Sequence, residues 1–168
     1  MRAYKFLRPG RVGPFSNFTW PAGEWVEADR VSLCAHGIHA CRVRDLPYWL
    51  SAELWEAELD GGVREEERKV VAQRGRLVRR IDGWNGAVGA RFAEACAART
   101  SERAEAAGTE ELAGFAADAA ANASKGEVAL LGFIAARAAE VADGEEAYAV
   151  EREAQAAWLA AELGLANG

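Results

Sequence analysis

Two hydrophobic periods divide this chain near Trp84, with strand-like runs before it and stripes of helical spacing after it. Ala3-Tyr-Lys-Phe-Leu7 predicts a first strand and Glu24-Trp-Val-Glu27 a second. Glu53-Leu-Trp-Glu-Ala-Glu-Leu59 sets Leu and Trp against Glu, the pattern of a half-buried strand. Arg68-Lys-Val-Val-Ala72 and Arg76-Leu-Val-Arg-Arg-Ile81 predict a closing pair around Gln73-Arg-Gly75. Pro9-Gly10, Gly13-Pro14, Pro21-Ala-Gly23 and Asp60-Gly61-Gly62 supply the turns. Asp45-Leu-Pro-Tyr-Trp-Leu50 predicts one short inserted helix, with Asp45 as its cap and Pro47 in the first turn, where a missing N–H is tolerated.

Beyond Trp84 the spacing changes. Val88, Phe92, Ala95 and Cys96 draw one apolar stripe down a helix that Gly108 can end. Thr109, followed by Glu110 and Glu111, predicts the cap of a second helix carrying Leu112, Phe115, Ala116 and Ala119. Val128 through Val141 is apolar nearly all round and predicts a central buried helix. Asp143 and Glu146 have the spacing of a capping box for a last helix, with Val150, Ala154, Ala157, Trp158 and Ala161 expected inward. The predicted fold is therefore α+β. It has a twisted antiparallel sheet with one inserted short helix, packed against an alanine-rich bundle of about four helices. The expected units are 1–83 and 84–168, sharing one core.

Composition narrows the class. At 168 residues the chain can bury roughly 70% of its unfolded surface without a disulfide or metal. No apolar run approaches the roughly 20 residues that span a bilayer, and the first ten residues lack the apolar core of a secretory signal. Three cysteines, an odd number, speak against a disulfide framework and predict a reducing, cytoplasmic setting. The net charge of −6 is uneven: residues 1–84 carry +2 and residues 85–168 carry −8. An acidic helical half disfavours nucleic acid and suits a protein partner or a second copy of the chain. The basic stretch Arg74-Gly-Arg76-Leu-Val-Arg79-Arg80 reads either as a solvated strand face or as an anion-binding edge.

The chemically specific segment is Leu33-Cys-Ala-His-Gly-Ile-His-Ala-Cys41, which holds both histidines and two of the three cysteines. A two-residue turn at Gly37-Ile38 would set Cys34, His36, His39 and Cys41 on one hairpin face. Two thiols and two imidazoles are ligand types that zinc and other transition metals take. The alternatives are a packed core with hydrogen-bonded histidines, a Cys34–Cys41 disulfide, and a thiol nucleophile activated by imidazole. Cys96, on an apolar helix stripe, reads as core.

Ala3-Tyr-Lys-Phe, Cys34-x-x-Gly-Ile-His-Ala-Cys41, Leu46-Pro-Tyr-Trp-Leu50 and the Trp55-Glu-Ala-Glu strand together resemble a family of uncharacterised bacterial and phage proteins over residues 3–82. Ile38 stands where that family carries an aromatic residue. The resemblance implies fold and boundaries but no activity, and it makes Cys34, His39 and Cys41 the family features, with His36 local. The order of elements also resembles that of ADP-ribosyltransferases. That resemblance implies an NAD-dependent enzyme with Glu67, in Glu65-x-Glu67, as the catalytic residue and Lys5 beside the cofactor phosphates, although no central hydroxyl pattern is present. Glu65, Glu66 and Glu67 read more simply as a solvated charge run. The leading expectation is a non-enzymatic binding or regulatory protein with a transition-metal site at Cys34, His36, His39 and Cys41. The alternative is the ADP-ribosyltransferase-like enzyme.

Overall fold

Alternation along Arg2–Leu7 (β1) puts Ala3, Lys5 and Leu7 on one face and Tyr4 and Phe6 on the other. Ala3, Leu7, Tyr4 and Phe6 are all buried, so β1 is covered on both sides and Lys5 stands at an inward position. The computed structural model describes residues 1–29 and 36–165. Among them β1 pairs antiparallel with Glu53–Asp60 (β4), Lys5 facing Trp55 across the ladder. Arg74–Arg80 (β7) takes the other edge of β4, and Val26–Glu27 (β2) adds to β7, giving the order β1-β4-β7-β2. A second antiparallel sheet joins Ile38–Ala40 (β3), Val70–Ala72 (β6) and Arg64–Glu65 (β5) in the order β3-β6-β5.

Tyr4 and Cys41 tie the two sheets together, each donating its backbone N–H to the other's carbonyl, at 2.8 and 2.7 Å. Ala3, Leu7, Leu59 and Leu77 from the first sheet meet Ile38, Ala40, Val70 and Ala72 from the second, with Trp20 completing one cluster. Burial of each large side chain there stabilises by about 1.5–3 kcal/mol. Gly75 permits the approach: a Cβ on it would lie 2.7 Å from Ile38 Cγ2 and 2.9 Å from Leu59 Cδ2.

The strands thus form two sheets where the pattern predicts one, and the expected β6–β7 pair is not made. The chain leaves one sheet at Ala72 and enters the other at Arg74. Gln73 between them is held by its N–H on Gly61 O (3.0 Å) and by its carbonyl accepting from Ala28 N (2.8 Å). The inserted helix is a 3-10 helix, Val43–Tyr48, capped by Arg42, with Asp45 inside it accepting from Arg42 N at 3.2 Å. Pro47 accordingly sits past the first turn. The basic stretch on β7 is neutralised across the ladder, Arg74 by Asp60, Arg76 by Glu58 (2.6 Å) and Arg79 by Glu56 (2.7 Å). That arrangement is the solvated strand face, and Trp25 stacks on Arg74 and Arg76 at 4.8 and 5.0 Å.

The chain divides into two compact units, Met1–Asn85 with Leu163–Gly168, and Gly86–Glu162. The second carries the helices Gly86–Ala107 (α1), Glu110–Ala123 (α2), Val128–Asp143 (α3) and Glu145–Leu163 (α4). Val88, Phe92 and Cys96 are buried as the stripe predicts, and Thr109 Oγ1 accepts from Leu112 N at 3.3 Å as a cap. No helix among the described residues is long and apolar enough to cross a membrane.

One face is corrected. On α4 the buried residues are Glu151, Arg152, Gln155, Ala156 and Leu159, whereas Val150 is 62% exposed. Alanine-rich helices have little contrast between faces, so a polar network sets the rotation. The Glu151 carboxylate accepts from Arg99 and Arg103, each at 2.9 Å, and from Gln155 Nε2 at 3.0 Å. Gln155 Nε2 also donates to Gly132 O at 2.9 Å, where the absent side chain leaves room. Burial pushes the Glu151 carboxyl pKa up, but the hydrogen bonds from Arg99, Gln155 and Arg103 outweigh it and hold it below the usual 4.5.

Glu151→Ala should cost about 3–5 kcal/mol, because Arg99 and Arg103 lose their buried counter-charge. Val150→Ala should change stability by less than about 0.5 kcal/mol. Urea unfolding midpoints check both. The Glu151 contribution is present above the unfolded value and is lost as pH falls through the lowered one, so the difference between wild type and Glu151→Ala should shrink in acid.

Candidate functional site

An inward lysine must find partners, and Lys5 finds two. Its Nζ donates to the backbone carbonyl of His39, across from β1 on β3, and lies 4.7 Å above the Trp20 ring. It stands in the wall of a cavity of about 620 Å³. Burial lowers its pKa to about 8, the neighbouring Cys41 opposing the shift only in part. The rest of the wall is largely apolar: Phe15, Phe18, Trp20 and Trp49 supply rings, and Lys69 and Glu27 supply charge.

His39 and Cys41, two residues apart on one strand face, both line this cavity. Burial lowers the His39 pKa, helped by Lys69 and Lys5, so the imidazole is neutral at pH 7. Its Nε2 is buried with no hydrogen-bond partner among the described residues. The Cys41 thiol donates to Tyr4 O at 3.3 Å, and burial, with Asp45 nearby, pushes its pKa up, so it stays a thiol. Burial likewise raises the Cys96 pKa to about 12, consistent with a core position.

Of the predicted four-residue face, the described residues place His39 and Cys41 at this cavity and His36 at another. Ile38 belongs to β3, paired with Ala72, and is no turn residue. His36 is exposed and borders a second cavity of about 540 Å³ with Glu27, Ala28 and Asp29. Cys34 lies outside the described residues. Among the described residues no group of three or more His, Cys, Asp or Glu side chains could hold a metal ion.

Of the pair implied by the ADP-ribosyltransferase resemblance, Lys5 lines the cavity and Glu67 does not. Glu67 is 82% exposed at its side chain and pairs with Arg68 at 3.1 Å. Its turn is fastened from below by Arg42, whose guanidinium donates to Glu66 O (2.6 Å), Glu67 O (2.9 Å) and Glu65 Oε2 (2.7 Å). The Glu65–Glu67 run is therefore a pinned surface turn. It carries Lys69 to the cavity wall, paired with Glu66 at 3.1 Å.

Residues 1–87 match a family described as Domain of unknown function (DUF7666). The chain belongs to that family. Every cavity-lining residue, from Tyr4 to Lys69, falls within the DUF7666 domain. No curated protein and no solved structure matches the chain. The DUF7666 cavity also uses residues that sequence reasoning did not single out, namely Phe15, Phe18, Lys69 and Glu27. Phenylalanines beside Gly13-Pro14 in an otherwise polar turn were the available signal, since a turn has no core of its own to bury them.

Lys5 should titrate near pH 8, read by NMR of the reductively 13C-methylated protein. Between that value and the usual 10.5 the unfolded chain binds more protons than the folded one, so stability should rise with pH across that window. Lys5→Met should flatten the rise in urea-unfolding measurements, and an unchanged slope would assign it to other groups.

Proposed function

We propose that the DUF7666 domain is a non-enzymatic binding module that holds a small organic anion in the cavity beside Lys5. The observation that carries this reading is a partly buried ammonium in an apolar, aromatic wall. The cavity's volume lies in the range of roughly 300–1,000 Å³ that small-molecule sites occupy. A positive charge in such surroundings attracts an anion far more strongly than it does in water, and the anion repays part of its desolvation. The lining carries Lys5, Lys69 (paired with Glu66) and Glu27, so the ammonium available to an anion is that of Lys5.

Holding rather than turnover is favoured by how the reactive groups are engaged. Lys5 is oriented as a charge by His39 O and the Trp20 face, and Cys41 is kept protonated on Tyr4 O. Calorimetric titration of the full chain with small phosphates and carboxylates tests the reading. Carboxylate binding should be level just below about pH 8 and weaken by up to about tenfold per unit above it, as the free ammonium loses its proton. Lys5→Met, shown to be folded by its unfolding transition, should abolish binding; undiminished affinity in that variant would overturn the reading.

A further inference from the structure

The segment between β1 and β2 arches over the cavity as a strap that is fastened at several points. Arg8 and Val12 bridge each other, and Val12 bridges Thr19. The Arg8 guanidinium donates to Gly13 O (3.2 Å) and to Asn17 Oδ1, Gly13 N donates to Phe18 O (2.8 Å), and Gly10 N donates to Glu53 Oε1 (3.0 Å). Two non-glycine residues, Arg11 at φ 62 and Asn17 at φ 54, adopt the left-handed conformation that L residues rarely take. Such strain persists where surrounding structure over-determines it, and it concentrates at ligand clamps.

What the strap presents is two phenylalanines. Phe15 is 85% exposed and Phe18 43% exposed, yet both line the cavity. Each touches a tryptophan of the wall edge to face, Phe15 on Trp49 (6.2 Å, 84°) and Phe18 on Trp20 (5.6 Å, 88°). In an edge-to-face pair one ring keeps both faces uncovered, and an aromatic face is well covered by another flat ring. Trp20 is shared, since its face also carries the Lys5 ammonium. The cavity therefore offers a charge and two exposed phenylalanine rings.

We infer that the ligand class is a flat aromatic ring bearing an anionic group, the anion set on Lys5 and the ring clasped by the strap phenylalanines Phe15 and Phe18. This rests on the anion-binding reading above and adds to it the chemistry of the carrier. A phosphate and a carboxylate are both anions that Lys5 can take, so the probes separate them as well.

The test compares benzoate, cyclohexanecarboxylate and acetate, and in parallel phenyl phosphate and inorganic phosphate, by calorimetry on the full chain. At least one aromatic anion should bind about tenfold or more tighter than its bare counterpart, the scale expected of one aromatic stack. If benzoate is the binder, it should also exceed cyclohexanecarboxylate, which has the same charge and a similar size without the flat ring. Phe15→Ala should remove most of the aromatic anion's advantage over the bare one, lowering the aromatic anion's affinity by the larger factor. Because Phe15 is so exposed, the variant should keep the wild-type unfolding transition. Equal binding of aromatic and bare anions, both dependent on Lys5, would overturn the aromatic inference while the anion reading stands. So would a cyclohexane ring binding as well as benzoate, or a Phe15→Ala variant without effect. Failure of every anion to bind would overturn both.

Discussion

A single ammonium group sets the terms for the N-terminal unit. Lys5 occupies an inward position on a strand where Ala3, Tyr4, Phe6 and Leu7 are buried, between Ala3 and Leu7 on the same face. A charge there is costly unless its hydrogens and its field are answered. The answers come from far along the chain: the carbonyl of His39 on β3 and the ring of Trp20 on the strap. At Gly75 the two sheets close until there is no room for a Cβ against Ile38. Next to Lys5 the Tyr4–Cys41 bridge ties the sheets, and Lys5 stands in the wall of the cavity.

The same physics recurs where other charged groups leave water. Arg42 fastens the turn before β6 by donating to two backbone carbonyls and two carboxylates. In the helical unit the signs are reversed: Glu151 is the buried charge, and Arg99, Arg103 and Gln155 answer it. Each arrangement selects one geometry among many that hydrophobic contact alone would tolerate. For α4 it overrides the apolar stripe, turning Glu151 inward and leaving Val150 in solvent.

Local physics was legible wherever it was strong. The strand at Ala3–Leu7, the strand at Glu53–Leu59 and the Thr109 cap follow from alternation and capping chemistry that neighbours in sequence supply. The β6–β7 pair did not follow, because adjacency at Gln73 looks like a hairpin whether or not the chain is changing sheets there. Lys5 could be named as a cofactor contact only through the ADP-ribosyltransferase resemblance, which also nominated Glu67, and the structure places Glu67 on a surface turn away from the cavity. Of the cysteine–histidine segment, His39 and Cys41 line the cavity beside Lys5, while His36 borders a different one.

By itself, then, the sequence determined the α+β class, the position of most strands and helices, and the identity of the residues able to carry charge or chemistry. Those are properties of nearest neighbours: side-chain period, turn residues, caps. Only the tertiary structure decided which of those residues meet. Lys5 and His39 are brought together by sheet pairing, Phe15 and Trp49 by the fold of the strap, and Gly132 and Gln155 by helix rotation. Such contacts span tens of residues and depend on how buried charges are compensated, and that balance exists only once the chain has closed around them.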